Sequence, residues 1–303
     1  MKIQHLLPVA AVVAALALSG CVTNTEGETQ GGTERVSVEV DKAASDLVPA
    51  DIRESGEAVI GVHTPYPPNE YRDENNNYAG WAVILTEAVV SKLGLKPVWQ
   101  ESSFETIIPN IQEGAMDMGS ASFTDNKERQ KVVDFVNYYE AGVLWVAPTG
   151  KLVDPNDACG HVIAVKQGSF QHLDELPKKS AECEAAGKKP IEMVPFDDQA
   201  QVTNAVRLGK AEAFSADSPV SLDAIAQSND QLEPSGEAFD MTPYGFVVDK
   251  GSPMGRLFNW LCSHSLMTEP TRRFSRMREL RLVRLRRRPL TLVARRSRAR
   301  GSN

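Results

Sequence analysis

The stretch Ser120-Ala121-Ser122-Phe123-Thr124-Asp125-Asn126-Lys127-Glu128-Arg129 places hydroxyls and small residues just ahead of one arginine. It follows the apolar-periodic run Phe104-Glu105-Thr106-Ile107-Ile108-Pro109-Asn110-Ile111. Hydroxyls, backbone amides and a guanidinium on one short segment can clamp a carboxylate, because arginine offers a planar fork of donors that matches a carboxylate in bidentate geometry. A second short turn, Gln167-Gly168-Ser169, follows an apolar strand-like segment and offers further donors. Asp197-Asp198 resembles a catalytic acid pair, but it precedes a helical run and reads as a helix N-cap.

The elements that must position these groups alternate in type. Ala58–Val62 reads as a strand, Tyr71–Tyr78 as a polar hairpin turn, and Trp81, Leu85, Ala88, Val89 and Leu93 fall at helical spacing before Gly94. Lys96–Gln100 is an expected strand, Phe104–Glu113 a helix stopped by Gly114, Met116–Gly119 a strand and Gly142–Ala147 another. The clamp segment is thereby expected on a loop after a strand. The rhythm then repeats: strands at His161–Val165, Ile191–Val194 and Glu212–Phe214, with helices at about Leu173–Ala186, Asp198–Leu208 and Ser218–Ala226. Such alternation predicts an α/β fold with mostly parallel sheets. Its length predicts two lobes, and ligands of such sheets lie at the carboxyl ends of the strands.

Lys2 and the apolar run Leu6–Leu18, 13 residues long, read as a signal segment too short for a membrane span. Leu18-Ser19-Gly20-Cys21 resembles the bacterial lipobox, which implies cleavage before Cys21 and its lipidation. The remainder is then expected outside the cytoplasmic membrane, anchored by lipid. Cys159 and Cys183 are expected to pair in that oxidising setting, with two buried thiols as the alternative. Residues 271–303 hold 13 Arg, no Lys and one acid, so the residues before them carry a strongly acidic balance, which argues against nucleic-acid binding.

With those residues in view, the chain resembles the family 3 extracellular solute-binding proteins, the polar amino-acid receptors of ABC importers. The resemblance is carried by Phe104-Glu105-Thr106-Ile107-Ile108-Pro109, Asp117, Arg129 and Val133-Asp134-Phe135, and it covers about residues 56–258. It implies a two-lobe periplasmic-binding-protein-like (type II) fold with two hinge crossings. The expected segments are a signal peptide at 1–20, an acidic tether at 21–50, lobe 1 at 51–148, lobe 2 at 149–240, a return to lobe 1 at 241–262 and an aberrant tail at 263–303. The resemblance implies that Arg129 binds the ligand α-carboxylate and that Thr124 contacts carboxylate and α-ammonium. The Ser122 carbonyl would accept from the ammonium, and Tyr66 and Phe104 would flank the ligand. Ser169 and Phe170 would add donors, including a backbone amide, and Asp217 would bind the ammonium, helix capping being its other reading. Lys166 stands where glutamine receptors carry a side-chain-contacting lysine, which favours a glutamine- or glutamate-like ligand, simple exposure being the alternative. His63 stands where several relatives carry an aspartate.

The resemblance also has departures. Gly80-Trp81-Ala82-Val83-Ile84 lacks two acids that the family usually carries there. Met267-Thr268-Glu269-Pro270-Thr271, read one base out of frame, permits the Asp-Asp-Gly-Thr-Tyr of the family's last helix. We therefore expect a frameshift between about Leu257 and Cys262, a basic lipid- or nucleic-acid-binding tail being the alternative. The expected partners are a polar L-amino acid, an ABC permease and the membrane through the lipid, with the chain a monomer and without cofactor or metal. No catalytic residue is assigned. The competing functions are a periplasmic dehydratase or lyase on the same fold, and a ligand-sensing domain.

Overall fold

The computed structural model describes residues 38–264. The expected signal segment, the expected lipidation at Cys21 and most of the Arg-rich tail lie outside those residues, as does the side chain of Cys262.

The chain enters through the short helix α1 (Lys42–Ser45), whose N-cap Asp41 accepts from the Ala44 amide at 3.1 Å. Ala44 and Val48 are fully or almost fully buried in a core cluster with Val90 and Leu93. The described end of the segment expected as a tether, residues 38–50, thus holds a helical turn and buried apolar side chains. Helix α2 (Ala50–Ser55) leads into β1 (Glu57–Val62). A hairpin of β2 (Tyr71–Arg72) and β3 (Tyr78–Ala79) precedes α3 (Trp81–Lys92), β4 (Lys96–Glu101), α4 (Phe104–Gln112) and β5 (Met118–Thr124). The expected strand at Met116–Gly119 thus starts later and runs through the clamp. All seven residues of β5 are buried, and strands covered on both faces tolerate small polar residues where those residues find partners.

A single turn at Arg129–Lys131 leads to β6 (Val133–Pro148), which is much longer than the expected segment. Next come β7 (Val162–Lys166), a π-helical turn (Gln171–Glu175), α5 (Leu176–Ala185), β8 (Glu192–Phe196), α6 (Gln199–Arg207) and β9 (Ala213–Asp217). Helix α7 (Ser218–Ala226), β10 (Leu232–Pro234), β11 (Phe239–Asp249) and α8 (Pro253–His264) complete the described chain. The Asp198 side chain caps α6, accepting from the Gln201 amide at 2.8 Å, in line with its reading as a cap.

The main sheet has the order β4-β1-β5-β11-β6-β9-β7-β8, with β10 on β6. Two parallel trios, β4-β1-β5 and β8-β7-β9, are joined by the antiparallel pair β6 and β11. The sheet is mixed rather than mostly parallel because these two long strands run in opposite directions between the trios. Around the first trio pack Ile60, Met118, Phe246 and Phe258, and separately Phe104, Ile107, Phe123 and Val247. Around the second pack Trp145, Ile163 and Leu176, and separately Val202, Phe214 and Leu232.

Cys159 and Cys183 form a disulfide with Cα atoms 5.5 Å apart. It joins the segment before β7 to α5. Closing a loop of this span stabilises a fold mainly by restricting the unfolded chain. Replacing both cysteines by serine is expected to lower stability by about 2–4 kcal/mol, read as a lowered denaturation midpoint in urea. Helix α8 contributes Met254, Leu257, Phe258 and Leu261 to the first core, and Phe258 is fully buried. Phe258→Ala is expected to cost about 3–5 kcal/mol in the same measurement, and a loss below about 1 kcal/mol would show that α8 does not support the core.

Candidate functional site

Strand β5 ends in a bulge that shapes the first half of the site. Gly245 of β11 faces Phe123 and Val247 faces Gly119, so three residues of β5 oppose Phe246 alone. Ser122 sits in this bulge at φ 52°, a left-handed conformation that is uncommon for serine. Its hydroxyl holds it there, accepting from Asn69 Nδ2 at 2.9 Å and donating to Glu70 Oε2 at 2.9 Å. Beside the bulge, α4 packs so close that a β-carbon on Gly119 would lie 2.9 Å from Ile107 and 2.6 Å from Val247. That approach seats Phe104, the first residue of α4, on Phe123, with ring centroids 4.6 Å apart.

The Arg129 guanidinium carbon lies 5.4 Å and 5.6 Å from the Phe104 and Phe123 ring centroids. Arg129 Nη1 donates to the Thr124 carbonyl at 2.9 Å, and Nη2 to the Gly168 carbonyl at 3.2 Å. These bonds hold the fork in place across strand ends of both trios. Burial lowers the Arg129 pKa to about 10, against the nearby Asp217 and Tyr66, which raise it. The side chain stays cationic at neutral pH.

Asp217 closes β9 and occupies the N-cap position of α7, yet its side chain makes no capping bond. Its carboxylate instead accepts from Tyr66 Oη at 2.6 Å and from Gln171 Nε2 at 2.7 Å. Two cis peptide bonds, Thr64–Pro65 and Pro67–Pro68, flank Tyr66. A reciprocal backbone pairing brings Tyr66 and Glu70 together, with Tyr66 N donating to Glu70 O at 2.7 Å. Burial and the Asp217 carboxylate push the Tyr66 hydroxyl well above its usual range, so it remains a neutral donor.

Lys166 is the last residue of β7 and only 5% exposed, which excludes simple exposure. Its Nζ stands 3.8 Å from the Phe104 ring centroid and 5.6 Å from that of Tyr66. Burial pulls its pKa down to about 7, opposed by Glu70, Asp217 and Glu105 and assisted by Arg129. At the following turn the Ser169 amide donates to the Lys166 carbonyl, and the Ser169 hydroxyl accepts from the His172 amide. The Ser169 amide is thus used within the turn. Gly168, at φ 70°, faces Glu105 so closely that a β-carbon would lie 2.4 Å from its Cγ. Beside it Gln167 donates to Glu105 at 3.0 Å. His63 lies at the edge, its ring nitrogens 2.9 Å from Ser102 O and 3.2 Å from Asp197 O.

Tyr66, Phe104, Ser122, Thr124, Arg129, Lys166, Ser169, Phe170 and Asp217 all line one narrow cleft. Ala121 and Gln171 complete the lining. Sequence reasoning missed Gln171, and it also missed a polar group behind the cleft. Trp81 Nε1 donates to Asn69 Oδ1 at 2.8 Å, continuing the chain from Asn69 through Ser122 to Glu70. Glu70 is 1% exposed, and its Oε1 has no hydrogen-bond partner among the described residues. Burial raises its pKa well above the usual carboxylate range, against the Ser122 hydroxyl and Lys166. The signal in the sequence was an acid held between prolines and aromatics in Tyr66-Pro67-Pro68-Asn69-Glu70-Tyr71, a setting that equally suits a surface turn.

Arginine-binding protein ArgT of Corynebacterium glutamicum is 34% identical over 238 residues, 78% of each chain. An ancestral arginine-binding protein solved with arginine superposes with a TM-score of 0.66 at 27% identity, covering 74% of this chain and 97% of that one. An ancestral arginine-binding protein solved with glutamine gives a TM-score of 0.64 at 28% identity, with the same coverage. These likenesses match the two-lobe type II binding-protein fold. Residues 58–241 match the family model for bacterial extracellular solute-binding proteins, family 3, and the chain belongs to that family.

Proposed function

We propose that the protein is an extracytoplasmic receptor that closes on a polar L-amino acid and presents it to an ABC importer, tethered to the membrane through lipid on Cys21. One lobe comprises residues 51–148 with the return at 241–262, and the other residues 149–240. Strands β6 and β11 are the hinge crossings. The relatives named for arginine binding, and the likeness to a structure holding glutamine, support an amino acid as the ligand class.

The observation that carries the reading is the placement of opposite charges on the two walls. Arg129 follows β5, and Asp217 ends β9. A zwitterion leaving water needs both of its charges paired, since an unpaired buried charge costs several kcal/mol. The α-carboxylate is assigned to Arg129, with the Thr124 hydroxyl beside it. The α-ammonium is assigned to Asp217 and the Ser122 carbonyl. Neither wall pairs both ends alone, so ligand favours the state in which the walls are together. Tyr66, Phe104 and Phe170 supply apolar walls, and Ser169 orders the turn that carries the Gly168 carbonyl. We assign binding rather than catalysis, because Arg129 and Asp217 are each oriented by neutral partners and no pair among the described cleft residues is set as nucleophile and base.

A thermal-shift screen of the amino acids tests the class, and at least one polar amino acid is expected to raise the melting temperature. Arg129→Ala and Asp217→Ala are each expected to weaken binding by about 3–5 kcal/mol, or two to four orders of magnitude in Kd by calorimetry. Unchanged affinity in both variants would refute the assignment.

A further inference from the structure

Behind the wall that carries Asp217 lies a buried acid that the ligand assignment does not use. Glu175 is 3% exposed and ends the π-helical turn Gln171–Glu175. Both of its oxygens are occupied. Trp145 Nε1 donates to Oε1 at 3.1 Å, and Ser215 Oγ donates to Oε2 at 2.9 Å. Trp145 of β6 and Ser215 of β9 are register partners, so one carboxyl spans two paired strands.

The same turn holds the ligand wall. Gln171, four residues earlier and buried, donates to Asp217 Oδ1 at 2.7 Å. Residues four apart share a helical face, and Ser215 and Asp217, two apart, share a face of β9. The turn and the strand are therefore joined by two parallel rungs, Glu175 on Ser215 and Gln171 on Asp217. The Leu176 amide donates to the Gln171 carbonyl and closes the wide turn, which ties the backbone at Gln171 to the turn's far end. Turns of this π type are rare and recur at functional sites.

Packing alone does not account for an acid at this place. A buried carboxyl carries a desolvation penalty that its hydrogen bonds must offset, and a purely apolar cluster would fill the same space without it. Burial pushes the Glu175 pKa up to about 7, against the Ser215 hydroxyl, Lys179 and the Trp145 indole. Both forms of the carboxyl keep both contacts, because the Ser215 hydroxyl can accept as well as donate. The position thus supplies two hydrogen-bonding atoms at fixed places, and the contacts do not depend on its charge.

We propose that Glu175 is a positioning residue for the ammonium site, clamping the turn to Trp145 and Ser215 so that Gln171 meets Asp217 and holds its carboxylate toward the cleft. This rests on the assignment of Asp217 to the ligand α-ammonium. Tyr66 reaches Asp217 from the opposite wall, whereas Gln171 holds it from its own, so the two rungs keep the carboxylate set when the walls part.

The test is a double-mutant cycle read by calorimetry on the full chain, with each polar L-amino acid offered to the native protein and the tightest carried into the variants. Gln171→Met removes the donor to Asp217, and Glu175→Met removes both acceptors at similar volume. Each is expected to weaken binding by about tenfold or more, and the double variant by no more than about threefold beyond Gln171→Met, because Glu175 acts through Gln171. A residue that only supports the fold would give multiplied losses instead. Glu175→Gln is expected to recover most of the affinity lost in Glu175→Met, its amide oxygen accepting from Trp145 and its nitrogen donating to Ser215. Circular dichroism checks the fold of each variant. Multiplied losses in the double variant, or full affinity in a folded Glu175→Met, overturn the inference and leave the receptor reading intact. If Glu175→Met does not fold, Ser215→Ala takes its place in the cycle, with a loss of about threefold expected and none added to Gln171→Met. Full affinity in Ser215→Ala, or a loss multiplied with that of Gln171→Met, then overturns the inference. Binding of no amino acid by the native chain overturns the receptor reading, and this inference with it.

Discussion

The antiparallel pairing of β6 with β11 is the constraint on which the rest of the structure depends. Each strand belongs to both halves of the molecule. Val136 of β6 packs with Met118 and Phe258, whereas Val143 and Trp145, further along, pack with Ile163 and Leu176. The register does more than join the halves. Tyr244 of β11 lies opposite Thr124 on one side and Tyr139 on the other, and Val143 of β6 lies opposite Asp217. The ends of β5 and β9 are therefore placed relative to one another by strand pairing alone. A slip of one residue would reverse the facing of every side chain in the slipped strand. It would turn Thr124 or Asp217 away from the cleft before any loop had moved.

Once the strand ends converge, the site's electrostatics follow from burial. Arg129 is fixed by two backbone carbonyls, which keep it cationic without consuming a carboxylate. Asp217 is fixed by a tyrosine hydroxyl and a glutamine amide rather than by a direct ion pair. Neutral partners of this kind orient each charged group and leave its charge available to a ligand. A direct Arg129–Asp217 ion pair would have satisfied both groups at the cost of the site's use. The same logic separates the cleft from the outer groove near the start of α8, where Lys250 is already paired with Asp134 at 2.7 Å.

What was legible in the sequence divides along physical lines. Alternating strand and helix patterns, the Asp198 cap and the ends of α3 and α4 could be read because periodicity and local chemistry set them. The nine cleft residues came from a resemblance in motif, and strand register alone explains why they meet. The clamp was read as a loop because Ser120, Ser122 and Thr124 look like loop residues. They lie in a fully buried strand, which the Ser120 hydroxyl supports by pairing with Thr86 and the Ser122 hydroxyl by pairing with Asn69 and Glu70. The mixed sheet was missed because the lengths of β6 and β11 depend on contacts made on both sides of each strand, which no local window contains. Gln171 was missed for a similar reason, since its partner Asp217 is distant in sequence.

The departure at Gly80-Trp81-Ala82-Val83-Ile84 acquires a physical reading from the polar chain behind the cleft. Ala82 and Ile84 are fully or almost fully buried, so acids there would have required partners of their own. In this chain the first residue of α3 does the polar work from its indole. Trp81 Nε1 holds Asn69, Asn69 holds the Ser122 hydroxyl, and Ser122 holds one oxygen of Glu70. The strained backbone at Ser122 and the orientation of Glu70 are thus determined by a single series of hydrogen bonds anchored on α3. That series fixes Glu70 through one oxygen only. The carboxyl is oriented through Oε2, while its Oε1 has no hydrogen-bond partner among the described residues.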